Sequence, residues 1–144
     1  MKLYNQQHQF YCGIDLHAKT LHACVVDQQG EKIFHRNFQC QHSDQLFNRL
    51  LRLGTRDIVI GCESTFNWYW LADDCRHHQL PFILGHALSF KAIHGGKTKS
   101  DPIDSEKLAR LVRGGNFPLS HVYPKEGCAA RDLMRRRTHL VLQT

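Results

Sequence analysis

Three β-type runs succeed one another between residues 10 and 38 on links too short to hold anything but hairpins. FYCGIDLH (10–17) and TLHACVVD (20–27) are separated only by Ala18 and Lys19. The tripeptide QQG then turns the chain into EKIFHRNF (31–38), which alternates in polarity. Links of two or three residues join antiparallel neighbours. The chain therefore opens as an antiparallel meander, and the residues after 38 must be laid against that sheet.

Beyond the meander the rhythm changes. Ser43 opens SDQLFNRLLRLG, with Leu46, Phe47, Leu50 and Leu53 on one helical face and Gly54 at the C-terminal stop. RDIVIGCE (56–63) reads as a buried strand, TFNWYWLADDCRHHQ (65–79) as a helix and LPFILG (80–85) as a further strand. Strands that alternate with helices pair in parallel through crossovers. ALSFKAIH (87–94) is expected to be a short helix, GGKTKS a basic loop, and Asp101 to Arg113 an amphipathic helix ending at Gly114 and Gly115. Phe117 to Pro124 reads as extended and Glu126 onward as helical. The expected fold is α/β, a mixed sheet of three antiparallel strands followed by parallel strands, flanked by helices. This is the ribonuclease H-like (RuvC-like) arrangement. Actin-like kinases and ATPases share it, so the order of elements does not choose a chemistry.

A length of 144 residues suits one domain, and 42% apolar with 22% charged residues is a globular balance. An actin-like ATPase would need a second half-domain for which this length has no room. No apolar run approaches the roughly 20 residues of a membrane span, and MKLYNQQHQF has no signal-peptide core. The six cysteines include no CxxC pair, which argues against a zinc finger and for reduced thiols in the cytoplasm. The net charge of +6 favours a polyanionic partner without identifying one.

The acidic residues narrow the chemistry. Strand alternation puts Gly13, Asp15 and His17 on one face of YCGIDLH, and Gly61 and Glu63 on one face of VIGCE. An acid among apolar strand residues is costly unless paired, hydrogen-bonded or bound to a cation. Asp15 taken alone also reads as a strand-end turn residue, and Glu63, before Ser64 and Thr65, as an acid favoured near a helix N-terminus. In TKSDPIDSEKLA, Pro102 suits the first helical position, which makes Asp101 the N-cap and Asp104 the third helical residue. Positions three apart share a helix face, so a cap and a metal ligand can coexist there. Two acids at the ends of core strands plus D-x-x-D at a helix start form a set of hard oxygen donors suited to Mg2+ or Mn2+. Two such ions about 4 Å apart serve in-line phosphoryl transfer on nucleic acid.

GIDLHAKT, CESTFNWYWLA and KTKSDPIDSEKLARL together resemble the signature segments of the DEDD transposases. These are the RuvC-like recombinases of bacterial insertion sequences related to the Piv invertases. The resemblance spans residues 11 to about 115. It implies that Asp15, Glu63, Asp101 and Asp104 are a catalytic, metal-holding tetrad for DNA strand cleavage and transfer in transposition. It also implies a chain that continues through a coiled coil to a second domain with a serine nucleophile, works as a homo-oligomer, and in some members uses an element-encoded guide RNA. On this reading residues 1–124 are the catalytic domain and 125–144 begin the coiled-coil segment. That last segment stops without a Gly or Pro terminator, which points to a fragment lacking the second domain.

Lys91, Lys97 and Lys99 precede the acidic pair and are candidate phosphate contacts, as are Lys19 beside Asp15 and the run Arg135, Arg136 and Arg137. Each also reads as a solvated surface residue. GGKTKS superficially resembles a Walker A loop, but the earlier glycine that motif needs is Lys91 and a helix precedes it. Phe66, Trp68, Tyr69 and Trp70 are expected mostly in the core. Two alternatives stand beside the transposase reading: a stand-alone Holliday-junction resolvase, and a non-catalytic nucleic-acid binding module whose acids only cap and pair.

Overall fold

The computed structural model describes residues 2–65, 67–87, 89–90 and 104–120. Among these, seven strands form one sheet: β1 (Leu3–Tyr4), β2 (Phe10–Leu16), β3 (Thr20–Asp27), β4 (Lys32–Gln39), β5 (Ile58–Glu63), β6 (Phe82–Gly85) and β7 (Phe117–Ser120). Their spatial order is β1-β7-β6-β5-β2-β3-β4. β2, β3 and β4 form the antiparallel meander, β5 and β6 run parallel to β2, and β7 and β1 close the other edge antiparallel. This is the mixed α/β sheet expected of the ribonuclease H-like arrangement. The edge pair β1 and β7 extends it beyond what the polar N-terminal segment foretold.

The register results from the short links. The His17 N–H donates to the Thr20 carbonyl at 2.8 Å, leaving Ala18 and Lys19 as a two-residue turn, and this pairs Leu16 with Leu21 and Asp15 with His22. Even-numbered residues of β2 then face one way and odd-numbered residues the other. Cys12, Ile14 and Leu16 join Leu21, Ala23 and Val25 in a core covered by α1 (Ser43–Leu51) and α2 (Tyr69–His77). Leu46, Phe47 and Leu50 of α1 and Leu71, Ala72 and Cys75 of α2 complete it.

The opposite face is covered by α3 (Ser105–Arg113) through Leu108, Ala109 and Val112, packed with Tyr11, Cys24, Val26 and Val59. Fully burying a side chain such as Leu108 contributes about 2 kcal/mol. The helix can lie this close because two register partners beneath it, Gly13 and Gly61, have no side chain. A Cβ on Gly13 would run into the Ser105 carbonyl and the Ala109 nitrogen, and one on Gly61 would lie 3.0 Å from Val112. The outer face of α3 is tied to the β3–β4 turn: Arg110 donates to the Gly30 carbonyl at 3.2 Å and Arg113 to that of Gln28 at 2.9 Å.

Two helix starts differ from expectation. α2 begins at Tyr69 rather than Thr65, because the N–H groups of Ser64 and Thr65 are held by the Gly85 and Glu63 carbonyls in a turn at the end of the sheet. α3 begins at Ser105, and Asp104, expected in its first turn, is extended (ψ 170°) and is itself the N-cap. The helix 87–94 is described only at Ala87, Ser89 and Phe90, which are helical. Residues 121–144, with the expected end of the extended segment and the last helix, lie outside the described residues. Trp68 is buried and Tyr69 and Trp70 pack on the core, as expected of most of that aromatic group, while Phe66 lies outside the described residues.

Candidate metal and nucleic-acid site

The last pair of the parallel β2–β5 ladder is Ile14 with Cys62, and one residue further along each strand come Asp15 and Glu63. Gly13 and Gly61 both face α3, so Asp15 and Glu63, two residues on, face the same side. The register carries this row across the sheet: Gly85 pairs with Glu63, Asp15 with His22, and His22 with Asn37. Four polar side chains on four adjacent strands thus line one face, just past the glycines on which α3 rests.

Asp15 is mostly covered, with 21% of its side chain exposed, and its Oδ2 lies 3.2 Å from His17 Nε2. His17 is itself exposed at the turn. Glu63 ends β5 half-buried. Two residues beyond it, the Thr65 hydroxyl is buried with no hydrogen-bond partner, and the Tyr69 hydroxyl is the other such group among the described residues.

Asp104 sits at the N-terminus of α3, where its Oδ1 accepts the Lys107 N–H at 2.9 Å. The preceding row of the sheet anchors that end of the helix: Cys24 pairs with His35, and His35 Nε2 lies 3.0 Å from the Ser105 hydroxyl. The ring of His35 also meets that of His22 edge-on, with centroids 4.5 Å apart. The side chains His22, His35 and Ser105 thereby link the strand position opposite Asp15 to the helix start.

This packing sets the electrostatics. Burial, then the neighbouring His22 and Lys32, hold the His35 pKa below its ordinary value, outweighing the attraction of Glu106 and Asp104. Burial pushes the Cys24 thiol up to about 11, with the Glu106 charge adding to it. Hydrogen bonds from Lys32 and Arg110 hold the Glu106 carboxyl below the usual carboxylate range.

Of the four expected acids, Asp15 and Glu63 stand side by side and Asp104 caps the helix on the same face, while Asp101 lies outside the described residues. Among the described residues, no three of His, Cys, Asp and Glu gather into a metal-sized cluster. The donor chemistry nevertheless suits a hard divalent cation: two strand carboxylates at the C-terminal ends of parallel strands, where open α/β sheets place ligands. Lys19 lies exposed in the turn after Asp15. Lys91, Lys97, Lys99, Arg135, Arg136 and Arg137 lie outside the described residues. His22, His35 and Asn37 were not singled out from sequence. The signal was there in the two-residue turn, which places His22 opposite Asp15.

Among the described residues, no helix is long and apolar enough to cross a membrane. A family model for the IS110-type DEDD group, described as transposase, matches residues 12–144. No curated protein matches the chain.

Proposed function

The chain belongs to the IS110-type DEDD transposase family, and from that premise we propose that it is the catalytic part of a metal-dependent DNA strand-cleaving and strand-transferring enzyme. Asp15 and Glu63 hold Mg2+ or Mn2+ from the strands, Asp104 joins them from the start of α3, and Asp101 completes the tetrad. The observation that carries this reading is the β2–β5 register, which sets Asp15 beside Glu63 on the face where Asp104 caps α3.

When bound there, divalent cations would supply Lewis-acid polarisation of the phosphodiester oxygens. The chain's own residues do the rest. Asp15 keeps one oxygen against His17, which orients its carboxylate. The His35 contact with Ser105 holds the N-terminus of α3, and with it Asp104, over the sheet. Lys19, Lys91, Lys97, Lys99, Arg135, Arg136 and Arg137 contact the DNA backbone in this reading.

Residues 1–124 form the catalytic unit, and 125–144 lead into a coiled coil that supports a homo-oligomer. The protein works in the cytoplasm, where an element-encoded RNA guide is a further partner in this reading.

Titration of Mn2+ and Mg2+ into the wild type and into Asp15→Asn and Asp104→Asn, followed by calorimetry and thermal unfolding, tests the proposal. Clustered carboxylates repel until a cation binds, so the wild type should gain thermal stability and both variants should lose the gain. Nucleic-acid binding that needs no metal and is unaltered in Asp104→Asn, with no metal bound even beside DNA, would replace this reading with that of a binding module.

A further inference from the structure

Two residues beyond the polar row, about 7 Å along the strands, the same face continues into the register pair Thr20 and Gln39. There a cleft of about 610 Å³ opens between the β2–β3 turn and the end of β4, lined by Ala18, Lys19, Thr20, Gln39, Cys40 and Gln41. Its back wall is fixed by the backbone, since the Cys40 N–H donates to the Lys19 carbonyl at 2.9 Å. The Cys40 thiol donates to the His17 carbonyl at 3.6 Å.

The chemistry of the lining is selective. Lys19 makes no ion pair among the described residues, and no carboxylate lines the cleft. Gln41 Nε2 donates to Gln39 Oε1 at 3.1 Å. That bond orients both amides and leaves the Gln39 NH2 group as donor and the Gln41 carbonyl as acceptor. A paired amide donor and acceptor matches the edge of a nucleobase, and adenine is the base that glutamine reads best. An unpaired lysine beside it matches a phosphate. Ala18 and Cys40 supply small apolar walls.

We propose that this cleft holds a nucleotide of the DNA strand that leaves the acidic centre, with its phosphate on Lys19 and its base edge on the Gln39–Gln41 amide pair. The inference rests on the transposase reading of Asp15 and Glu63 and adds a base-reading subsite to it.

The test uses the whole chain without metal, so that cleavage plays no part. Fluorescence anisotropy with oligo-dA, oligo-dC and oligo-dT is measured for the wild type and for Lys19→Ala, Gln39→Ala and Gln41→Ala. Lys19→Ala should weaken all three DNAs several-fold and lower the salt slope by about 1. Each glutamine variant should weaken oligo-dA several-fold and leave oligo-dC nearly unchanged. In the wild type, saturating DNA should also slow alkylation of Cys40, read by peptide mass spectrometry. Binding equal to wild type in all three variants, with no protection of Cys40, would overturn the proposal. So would oligo-A RNA that binds through the same residues more tightly than oligo-dA. Neither readout involves metal, so failure of the acidic-centre reading would leave both signals in place, and failure of the cleft would leave the metal titration intact.

Discussion

The Asp104 carboxylate accepts the backbone N–H of Lys107 at 2.9 Å, so an acid proposed to hold metal is also the N-cap of α3. The two roles separate by substitution. Asn caps a helix as well as Asp does but brings no charge, whereas Ala does neither. Asp104→Asn should unfold at nearly the wild-type temperature, and Asp104→Ala should lose about 1 kcal/mol. Both should lose metal-induced stabilisation. A metal response retained in Asp104→Asn would confine Asp104 to capping.

Gly13 is where α3 meets the sheet, and the obstacles to a Cβ there are backbone atoms of Ser105 and Ala109 that cannot step aside. Gly13→Ala should cost about 3 kcal/mol or more, at the upper end of overpacking. Gly54 is a useful contrast, with φ 78° and nothing near its missing Cβ. Gly54→Ala should cost only the strain of the left-handed backbone, about 1 kcal/mol. Denaturant midpoints of the two variants check the order.

His35 sets a pH dependence of stability. Burial, His22 and Lys32 lower its pKa in the folded state against the pull of Glu106 and Asp104, so below its ordinary value of 6.5 the unfolded chain binds a proton that the folded chain resists. Its contribution is therefore present above pH 6.5 and lost as pH falls toward the lowered folded value. Gln in its place offers Ser105 an amide and does not titrate. The stability of His35→Gln, measured by thermal unfolding, should fall less than that of the wild type between about pH 6.5 and 5. An identical slope would remove His35 as the cause.

The thiols should divide by burial. Burial raises the pKa of all five described thiols, but Cys12, Cys24, Cys62 and Cys75 are fully buried whereas Cys40 is partly exposed and within reach of a reagent. Thiolate is the reactive form. Of these five, iodoacetamide should modify Cys40 first in the native protein, with the others reacting only on addition of denaturant. Mass spectrometry of the tryptic peptides reads each site separately.

Much of this was legible in the chain itself. The two-residue turn at Ala18 and Lys19 determined the β2–β3 register, and with it the pairing of Asp15 with His22. Alternation placed Asp15 beside Gly13 on one face and Glu63 beside Gly61 on the matching one, and helical spacing placed Leu108, Ala109 and Val112 together. Local pattern suffices for these because period and turn length are properties of neighbouring residues.

The start of α3 was not legible in the same way. Asp101 and Pro102 make a sound helix-start signal and so does Asp104, and local preference does not rank them. The decision came from the tertiary contacts at Ser105, whose carbonyl rests on the bare backbone of Gly13 and whose hydroxyl meets His35. The polar row from Glu63 to Asn37 and the cleft between Lys19 and Gln41 likewise needed the sheet to assemble. Sequence determined which face the two strand acids, Asp15 and Glu63, would take. Only the fold, by closing distances between residues far apart in the chain, decided which side chains that face would share.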